Sequence, residues 1–391
     1  LLGVAGGIAA YKSVQIARDL TQLGAAVDVV LTRSGREFVG PITFEAVTGR
    51  PIHTDLIAQG QALDHIRLAR DADVICVAPA TADLLARAAS GRADDLLTAI
   101  LLATKSPVLL CPAMNDAMWL HAQTQRNAGH VRGVLGYALV GPAVGPLAYG
   151  EGAGPGRMEE PHVIIEHIGR ALENDSRLVG KRIVVTAGPT REAVDPVRVL
   201  SNRSSGKMGY AIAAAAWRRG ADVVLISGPS ALAAPVGPEL RRVETADHMA
   251  TAVGDAIRGA DALVMAAAVA DFRPAEPALG KIKKHSGLSA IELEPAPDVL
   301  SVTRAQRAQN LRVVGFALET NAHEANARRK LQEKGMDIVV LNDALEAGAG
   351  FEVSTNKVTI LAADGSSEAL PLMSKDEVAD VILDRLAAIL P

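Results

Sequence analysis

Twice in this chain an apolar strand runs into a glycine-bearing turn and then into a helical stretch. Leu1 to Ala5 leads into Gly6-Gly7 and a helix from Ile8 to about Leu23, which Gly24 ends. Ile183 to Thr186 leads into Ala187-Gly188-Pro189-Thr190, then a polar segment from Ser201 to Gly209 and a helix from Tyr210 to Arg219. Further apolar runs alternate with helical stretches. Ala26–Leu31, Ala72–Ala78 and Pro107–Cys111 follow in the first half, and Ala221–Ile226, Ala262–Met265, Arg312–Phe316 and Asp337–Val340 in the second. Strands with no polar alternation must be covered on both faces, so the pattern predicts α/β architecture with parallel sheets between helices. Thr355 to Leu361, followed by Gly365, reads as a late hairpin or edge strand, and Lys375 to Leu390 as a terminal helix. In such sheets the polar residues just beyond the strand ends are the place for a ligand.

A length of 391 residues suits two domains, with the boundary between Glu173 and Gly180. Aromatic residues make up only 3% of the chain, which argues against a stacking platform for single-stranded nucleic acid. A net charge of -4 supplies no polyelectrolyte reason to bind DNA or RNA. Cys76 and Cys111 sit in apolar runs and form no CxxC pair, so they read as buried small hydrophobes in a reducing compartment. The nearest approach to a membrane span, Leu96 to Met114, is broken by Lys105, Pro107 and Pro112. No cleavable signal peptide is expected, and the strand-like start suggests that a few native residues precede Leu1.

Gly6-Gly7 fits neither a dinucleotide fingerprint nor a P-loop, so it reads either as a cofactor or phosphate turn or as a structural one. His65 alone would be a surface or packing residue. Asn115 ends a strand within Pro112-Ala113-Met114-Asn115, where its amide can hold a carboxylate or a flavin edge. The Gly- and Pro-rich stretch from Gly141 to Pro161 is unsuited to sheet or helix interior. It reads as a surface loop or linker, or as a flap closing over a site. A short helix from about His162 to Leu172 closes the first domain.

As a set, Gly6 to Lys12, His65, Pro112 to Asn115 with Met118-Trp119, and Gly154 to Met158 resemble the flavin-dependent phosphopantothenoylcysteine decarboxylases. The resemblance implies a Rossmann-like, flavodoxin-type domain over residues 1–175 that binds FMN and assembles as a trimer with active sites near subunit contacts. Gly7, Ile8, Ser34, Thr81 and Asn115 fall where FMN or substrate contacts are expected. His65 would be the base near the substrate thiol and carboxylate, and Asn115 would orient the carboxylate. The carbon bearing sulfur would lose hydride to the flavin, carbon dioxide would leave, and the hydride would return to give 4'-phosphopantetheine. One departure stands in the flap. The family has Leu-Ala-Cys-Gly, whose cysteine donates the final proton, whereas this chain has Leu147-Ala148-Tyr149-Gly150. Tyrosine is larger and has a reference pKa of about 10 against about 8.5 for cysteine. Either Tyr149 substitutes as the acid, another group does, or turnover stalls after oxidative decarboxylation. A smaller departure is Asp83, where the family commonly has asparagine.

In the second half, Ser201 to Gly209 is a dense set of donors before a helix, suited to a phosphate or nucleotide sugar or simply to a polar cap. Lys281 to Lys284 is a basic cluster that is either solvated or a phosphate clamp. These segments, with Thr186 to Glu192, Asp195 to Arg198, Ala266 to Asp271, Pro297-Asp298, Gly315 to Thr320 and Asn342-Asp343, closely resemble the phosphopantothenate–cysteine ligase domain. The resemblance implies a Rossmann-like ligase domain over residues 176–391 that uses CTP and Mg²⁺ and dimerises. Asn202 would hold the acyl-cytidylate. Asp271 and the Met265-Ala266-Ala267 backbone would contact CTP, and Lys281 would serve the triphosphate or transition state. Phe316 and Pro297, Asp298, Val299 and Leu300 would frame the nucleotide, with Lys330 and Lys334 adding positive charge. No metal ligands are assigned.

The whole chain thus resembles the bifunctional decarboxylase–ligases of bacterial coenzyme A biosynthesis. They condense 4'-phosphopantothenate with cysteine and decarboxylate the product. The resemblance implies a cytoplasmic enzyme without nucleic-acid or membrane partners, and trimeric and dimeric contacts compatible with a dodecamer. Two other readings stand beside it. The ligase is fused either to a domain performing only oxidative decarboxylation, or to a noncatalytic FMN-binding regulatory domain.

Overall fold

The computed structural model describes residues 1–57, 63–283, 290–319, 323–343 and 353–391. The chain divides into two compact units, Leu1–Leu172 and Glu173–Pro391. Lys284 and Thr320, named above within motifs, lie outside the described residues.

The first unit holds β1 (Leu2–Val4), β2 (Val29–Leu31), β3 (Ile52–His53), β4 (Ile75–Ala80), β5 (Val108–Pro112) and β6 (Ala138–Leu139). They form one parallel sheet in the order β3-β2-β1-β4-β5-β6. Alternate side chains feed different cores. Leu2, Val4, Val29 and Leu31 pack with the helices Ala10–Gln22 and Pro161–Leu172, while Val30, Ile75 and Val77 pack with Leu84, Leu97 and Ile100. The helical stretch after β4 is two helices, not one. Thr81 caps Ala82–Ser90, Gly91 ends it at φ 67°, and a reciprocal Asp95–Thr98 capping box starts Leu96–Ala103.

The sequence around Gly141–Pro161 does pair as sheet, contrary to expectation. β7 (Ala143–Pro146) and β8 (Ala153–Arg157) form an antiparallel hairpin. As a two-stranded ribbon it has only edges, which is where proline is tolerated. Its glycines serve close packing: a Cβ on Gly154 would lie 2.8 Å from Asp116, and one on Gly156 would collide with the Met114 carbonyl.

The second unit is built on eight strands. In chain order its strands are β9 (Arg182–Ala187), β10 (Arg191–Ala193), β11 (Val199–Ser201), β12 (Asp222–Ser227), β13 (Glu239–Arg242), β14 (Ala262–Met265), β15 (Phe272–Pro274), β16 (Leu293–Pro295), β17 (Arg312–Glu319), β18 (Ile338–Asp343), β19 (Thr355–Asn356), β20 (Val358–Ala362), β21 (Ser367–Ala369) and β22 (Met373–Ser374). The main sheet runs β13-β12-β9-β14-β17-β18-β20-β21, parallel through β18 and closed by the antiparallel hairpin β20–β21. The remaining six strands pair as small ribbons. Ile183 and Val185 enter one core and Val184 the other, so both sheet faces are covered. Each fully buried aliphatic side chain of this kind contributes roughly 1.5–3 kcal/mol.

In both sheets the strand order reverses at the centre, between β1 and β4 and between β9 and β14. Crossover loops there leave in opposite directions and open a crevice beyond the carboxyl ends. The helix Lys207–Arg218 reaches β9 through Gly209, where a Cβ would lie 2.6 Å from Ala187 Cβ and 2.7 Å from the Thr186 carbonyl. Gly209→Val should therefore cost about 1–3 kcal/mol of stability by chemical denaturation. Gly129→Ala, in an exposed helix with open space at the position, should instead gain about 0.4–1 kcal/mol.

Candidate functional site

In the first unit, the residues singled out for a flavin follow four adjacent parallel strands. Gly6-Gly7 follows β1, Ser34 follows β2, Thr81 follows β4 and Asn115 follows β5. Gly6 is required because a Cβ there would collide with Ser34, whereas Gly7 faces open space. Ile8 is exposed, and Thr81 is occupied in accepting the Leu84 N–H. Asn115 Oδ1 accepts the Ala117 N–H at 2.9 Å, and its amide nitrogen has no hydrogen-bond partner among the described residues. An uncovered glycine turn flanked by Ser34 and an available amide donor suits an anionic, planar cofactor, so the residues fit FMN.

The hairpin is seated on the Asn115 loop by the Met114 N–H donating to the Gly156 carbonyl at 2.9 Å. Lys12, in the first helix, is buried and braces the hairpin's base. Its Nζ donates to the Met158 carbonyl at 3.2 Å and to Glu160 at 2.9 Å, and Arg157 joins the same carboxylate at 2.6 Å. The Lys12 hydrogen bond leads the contacts that hold the Glu160 carboxyl below its ordinary range. Tyr149, at the hairpin tip, is fully exposed.

His65 stands apart from this group. It lines a separate apolar crevice with Leu56, Ile57, Ile66 and Leu102, and its Nδ1 is buried without a hydrogen-bond partner. Ile57, Leu63, Ile66 and Leu102 are all exposed beside it.

In the second unit, a cavity of about 630 Å³ lies at the strand-order reversal. Its floor is a stitch between two motifs. Thr186 Oγ1 accepts the Ala267 N–H at 3.1 Å, Thr190 Oγ1 accepts the Ala270 N–H at 2.9 Å, and the Ala268 N–H donates to the Gly188 carbonyl. Asn202 Nδ2 donates to the Ala268 and Val269 carbonyls at 3.1 and 3.2 Å. One wall carries Pro297 to Leu300 and Phe316, with Lys330 and Lys334 beside them. Lys334 pairs with Asp298 at 2.7 Å. Burial raises the Asp298 carboxyl, but Lys334 and backbone N–H groups outweigh it and the net shift is downward.

Asn202, Met265, Ala266, Ala267, Asp271, Pro297 to Leu300, Phe316, Lys330 and Lys334 thus border one cavity. The Ala267 N–H is committed to Thr186, leaving its carbonyl and methyl for a ligand. Lys281 does not border this cavity. It lines another, of about 710 Å³, with Val194, Glu276, Ile282 and Lys283. The reason is Asp195, which is buried and takes N–H groups from Val197, Arg198 and Ile282, while Arg198 donates to the Ile282 carbonyl. The Asp195–Arg198 motif therefore fastens the lysine-bearing segment beside β10.

Sequence reasoning passed over Met336, Asn356 and Lys375, which also border the cavity, whereas Lys207 lies in the Ser201–Gly209 donor set singled out above. Lys375 opens the helix Lys375–Ile389, a position that reads in sequence as a solvated helix start, yet it is 6% exposed. Burial, and then the like charge of Lys207, pull its pKa down to about 8. No group of three or more His, Cys, Asp or Glu suited to a metal gathers among the described residues. No helix among them is long and apolar enough to cross a membrane.

Because the folded ammonium of Lys375 is penalised, the unfolded chain holds more protons between pH 8 and the ordinary lysine value of about 10.4. The penalty is full below pH 8 and fades above it. Denaturation titrations of the native chain and Lys375→Met should show the difference shifting in favour of the native chain as pH rises through that window.

Comparison with known proteins places similarity along the whole length. The model described as Flavoprotein matches residues 1–173, and that described as DNA/pantothenate metabolism flavoprotein C-terminal domain matches 178–390. The "Coenzyme A biosynthesis bifunctional protein CoaBC" of Mycobacterium tuberculosis is 47% identical, covering 100% of this chain and 96% of that protein. The protein of the same name from Vibrio cholerae is 44% identical over 98% and 96%. A solved structure, the C-terminal domain of a coenzyme A biosynthesis bifunctional protein CoaBC, is 40% identical with a TM-score of 0.47, covering 55% of this chain and 98% of that one.

Proposed function

Since the chain belongs to the family of bifunctional coenzyme A biosynthesis proteins, we propose that it makes 4'-phosphopantetheine from 4'-phosphopantothenate and cysteine in two reactions, one in each unit. Residues 176–391 form the amide with CTP, and residues 1–175 decarboxylate the resulting phosphopantothenoylcysteine with FMN. The observation that most supports this is the convergence of Asn202, Asp271, Phe316, Lys330 and Lys334 from four distant segments on one cavity.

In the ligase reaction the pantothenate carboxylate attacks the α-phosphorus of CTP and pyrophosphate leaves. The amine of cysteine then attacks the acyl-cytidylate carbonyl and CMP leaves. Asn202 is held in place by its two carbonyl partners, which leaves Oδ1 to accept an N–H from the reacting species. Lys330 and Lys334 offset charge on the nucleotide. Mg²⁺ arrives with the triphosphate, because the cavity supplies Asp271 and a lysine-paired Asp298 in place of a metal cage. Lys281 serves this reaction only if its segment meets a cavity other than the one it lines, as a dimeric ligase would allow.

In the decarboxylase, FMN supplies the hydride acceptor and donor that make loss of carbon dioxide feasible. Gly7, Ile8, Ser34 and Thr81 hold it. Asn115 donates its amide N–H to the substrate carboxylate, and His65 takes the thiol proton. The exposed apolar residues around His65 support self-association of this unit, as in a trimer. A cytoplasmic enzyme is the matching setting for these substrates.

A second reading is favoured by Tyr149 at the hairpin tip, in place of the proton-donating cysteine the resemblance implies. On that reading the first unit performs only oxidative decarboxylation.

FMN-loaded chain given 4'-phosphopantothenate, cysteine, CTP and Mg²⁺ without oxygen should yield 4'-phosphopantetheine over many turnovers by mass spectrometry. Accumulation of phosphopantothenoylcysteine would confine catalysis to the ligase, and an enethiol product would establish the second reading. His65→Asn should slow decarboxylation by about a hundredfold or more, the usual worth of a positioned base, with amide formation unchanged.

A further inference from the structure

Two elements that border the second unit's cavity share no sheet ladder. One is the wall turn Val299–Val302, with Pro297 and Asp298 before it. The other is the helix His323–Lys334, which brings Lys330 and Lys334. Two ties join them. Lys334 pairs with Asp298 at 2.7 Å, and Asp298 also caps the wall turn by accepting the Ser301 N–H at 3.2 Å. The second tie is the Arg307 guanidinium. Its Nη2 donates to the Leu300 carbonyl, and its Nη1 donates to the Lys334 carbonyl at 3.0 Å.

The last four carbonyls of a helix have no partner within it. Here Gly335, at φ 60°, turns the chain back after Lys334. The Met336 N–H then reaches the Leu331 carbonyl at 2.9 Å, and the Gly335 N–H reaches the Gln332 carbonyl at 3.2 Å. The two carbonyls that remain each take an arginine, Glu333 from Arg304 at 2.9 Å and Lys334 from Arg307. Both arginines therefore cap the helix, whose negative end suits a cation. Of the two, only Arg307 continues to a cavity-lining residue of another element, Leu300. Burial, and then the like charge of Arg304, lower the Arg307 pKa, and its Nε is buried without a hydrogen-bond partner, so the fold keeps this bridge at an electrostatic cost. A guanidinium holds its donors in a rigid planar fork, so one prong on each carbonyl sets the spacing of wall and helix.

We propose that Arg307 is a positioning residue for the ligase reaction: its fork fixes the gap between the wall, Pro297 to Leu300, and the lysines Lys330 and Lys334, into which the nucleotide fits. The inference rests on the ligase reading, in which that wall frames the nucleotide and those lysines offset its charge. Arg307 itself does not line the cavity and acts through Leu300 and Lys334. Its loss therefore weakens the hold on the nucleotide and leaves the other two substrates as they were.

The test is steady-state amide formation by the full chain in Mg²⁺, with KM measured separately for CTP, 4'-phosphopantothenate and cysteine. The chains are native, Arg307→Met, Arg307→Lys and Arg304→Met. Arg307→Met should raise the KM for CTP between about ten- and a hundredfold, the scale of a displaced binding group, with the other two KM values near native. Arg307→Lys keeps the charge but loses the fork, and should keep most of that rise. Arg304→Met removes a helix cap of the same kind without touching the wall, and should leave the KM for CTP near native. A rise shared by all three substrates, no rise, an equal rise in Arg304→Met, or full recovery in Arg307→Lys would overturn the inference. Should Arg307→Met fail to fold by circular dichroism, Arg307→Lys set against Arg304→Met decides by the same pattern. A native chain that forms no phosphopantothenoylcysteine from these substrates would overturn the ligase reading itself.

Discussion

Thr186 and Thr190 each accept a backbone N–H from the segment that follows β14, and the second unit's cavity is built on that pair of bonds. Where a parallel sheet reverses its winding, the two central strands release their loops in opposite directions, and nothing in the sheet ladder holds those loops together. The two hydroxyls, with the Ala268 N–H bonded to Gly188, tie one loop to the other. Asn202 then bonds to the tied segment through Ala268 and Val269, so its position follows from theirs. Removing a hydroxyl would leave a buried N–H without a partner, a cost of about 1–3 kcal/mol placed directly under the site.

The first unit solves a similar problem with glycine and an ion pair whose lysine is buried. Its hairpin lies on the Asn115 loop only because Gly154 and Gly156 carry no side chain there. Lys12 then fixes the hairpin's base to the first helix through Met158 and Glu160. The same helix follows the Gly6-Gly7 turn, so one element bears on both that turn and the hairpin. The tip, with Tyr149, is left exposed. A firmly held base with an exposed tip is the arrangement a closing element requires.

Much of this was legible in sequence. Apolar runs such as Ile183–Thr186 and Val223–Ile226 alternate with helical stretches, and a buried parallel strand can hardly be written another way. The polar residues at strand ends, among them Asn115, Asn202 and Asp271, were visible because a polar residue just past an apolar strand has few other places to be. The Gly141–Pro161 hairpin was not legible, because glycine and proline content argues against sheet in general and only an isolated ribbon escapes the argument. The split of the helix at Gly91 was hidden for a different reason: a short polar break in a long apolar stretch becomes a double cap only when Asp95 and Thr98 bond each other.

The order of apolar strands and helices, and the chemistry clustered at the turns, were determined by the sequence alone, since burial and backbone freedom are properties of each residue and its near neighbours. Which distant residues share a cavity was decided only by tertiary structure. Lys281 belongs to a lysine-rich motif, yet Asp195 and Arg198 hold its segment over a different cavity. Lys375 belongs to no motif, yet it lies buried beside Lys207 in the site. Electrostatic coupling acts through space, and no local pattern records which helix start the fold will bring beside which loop.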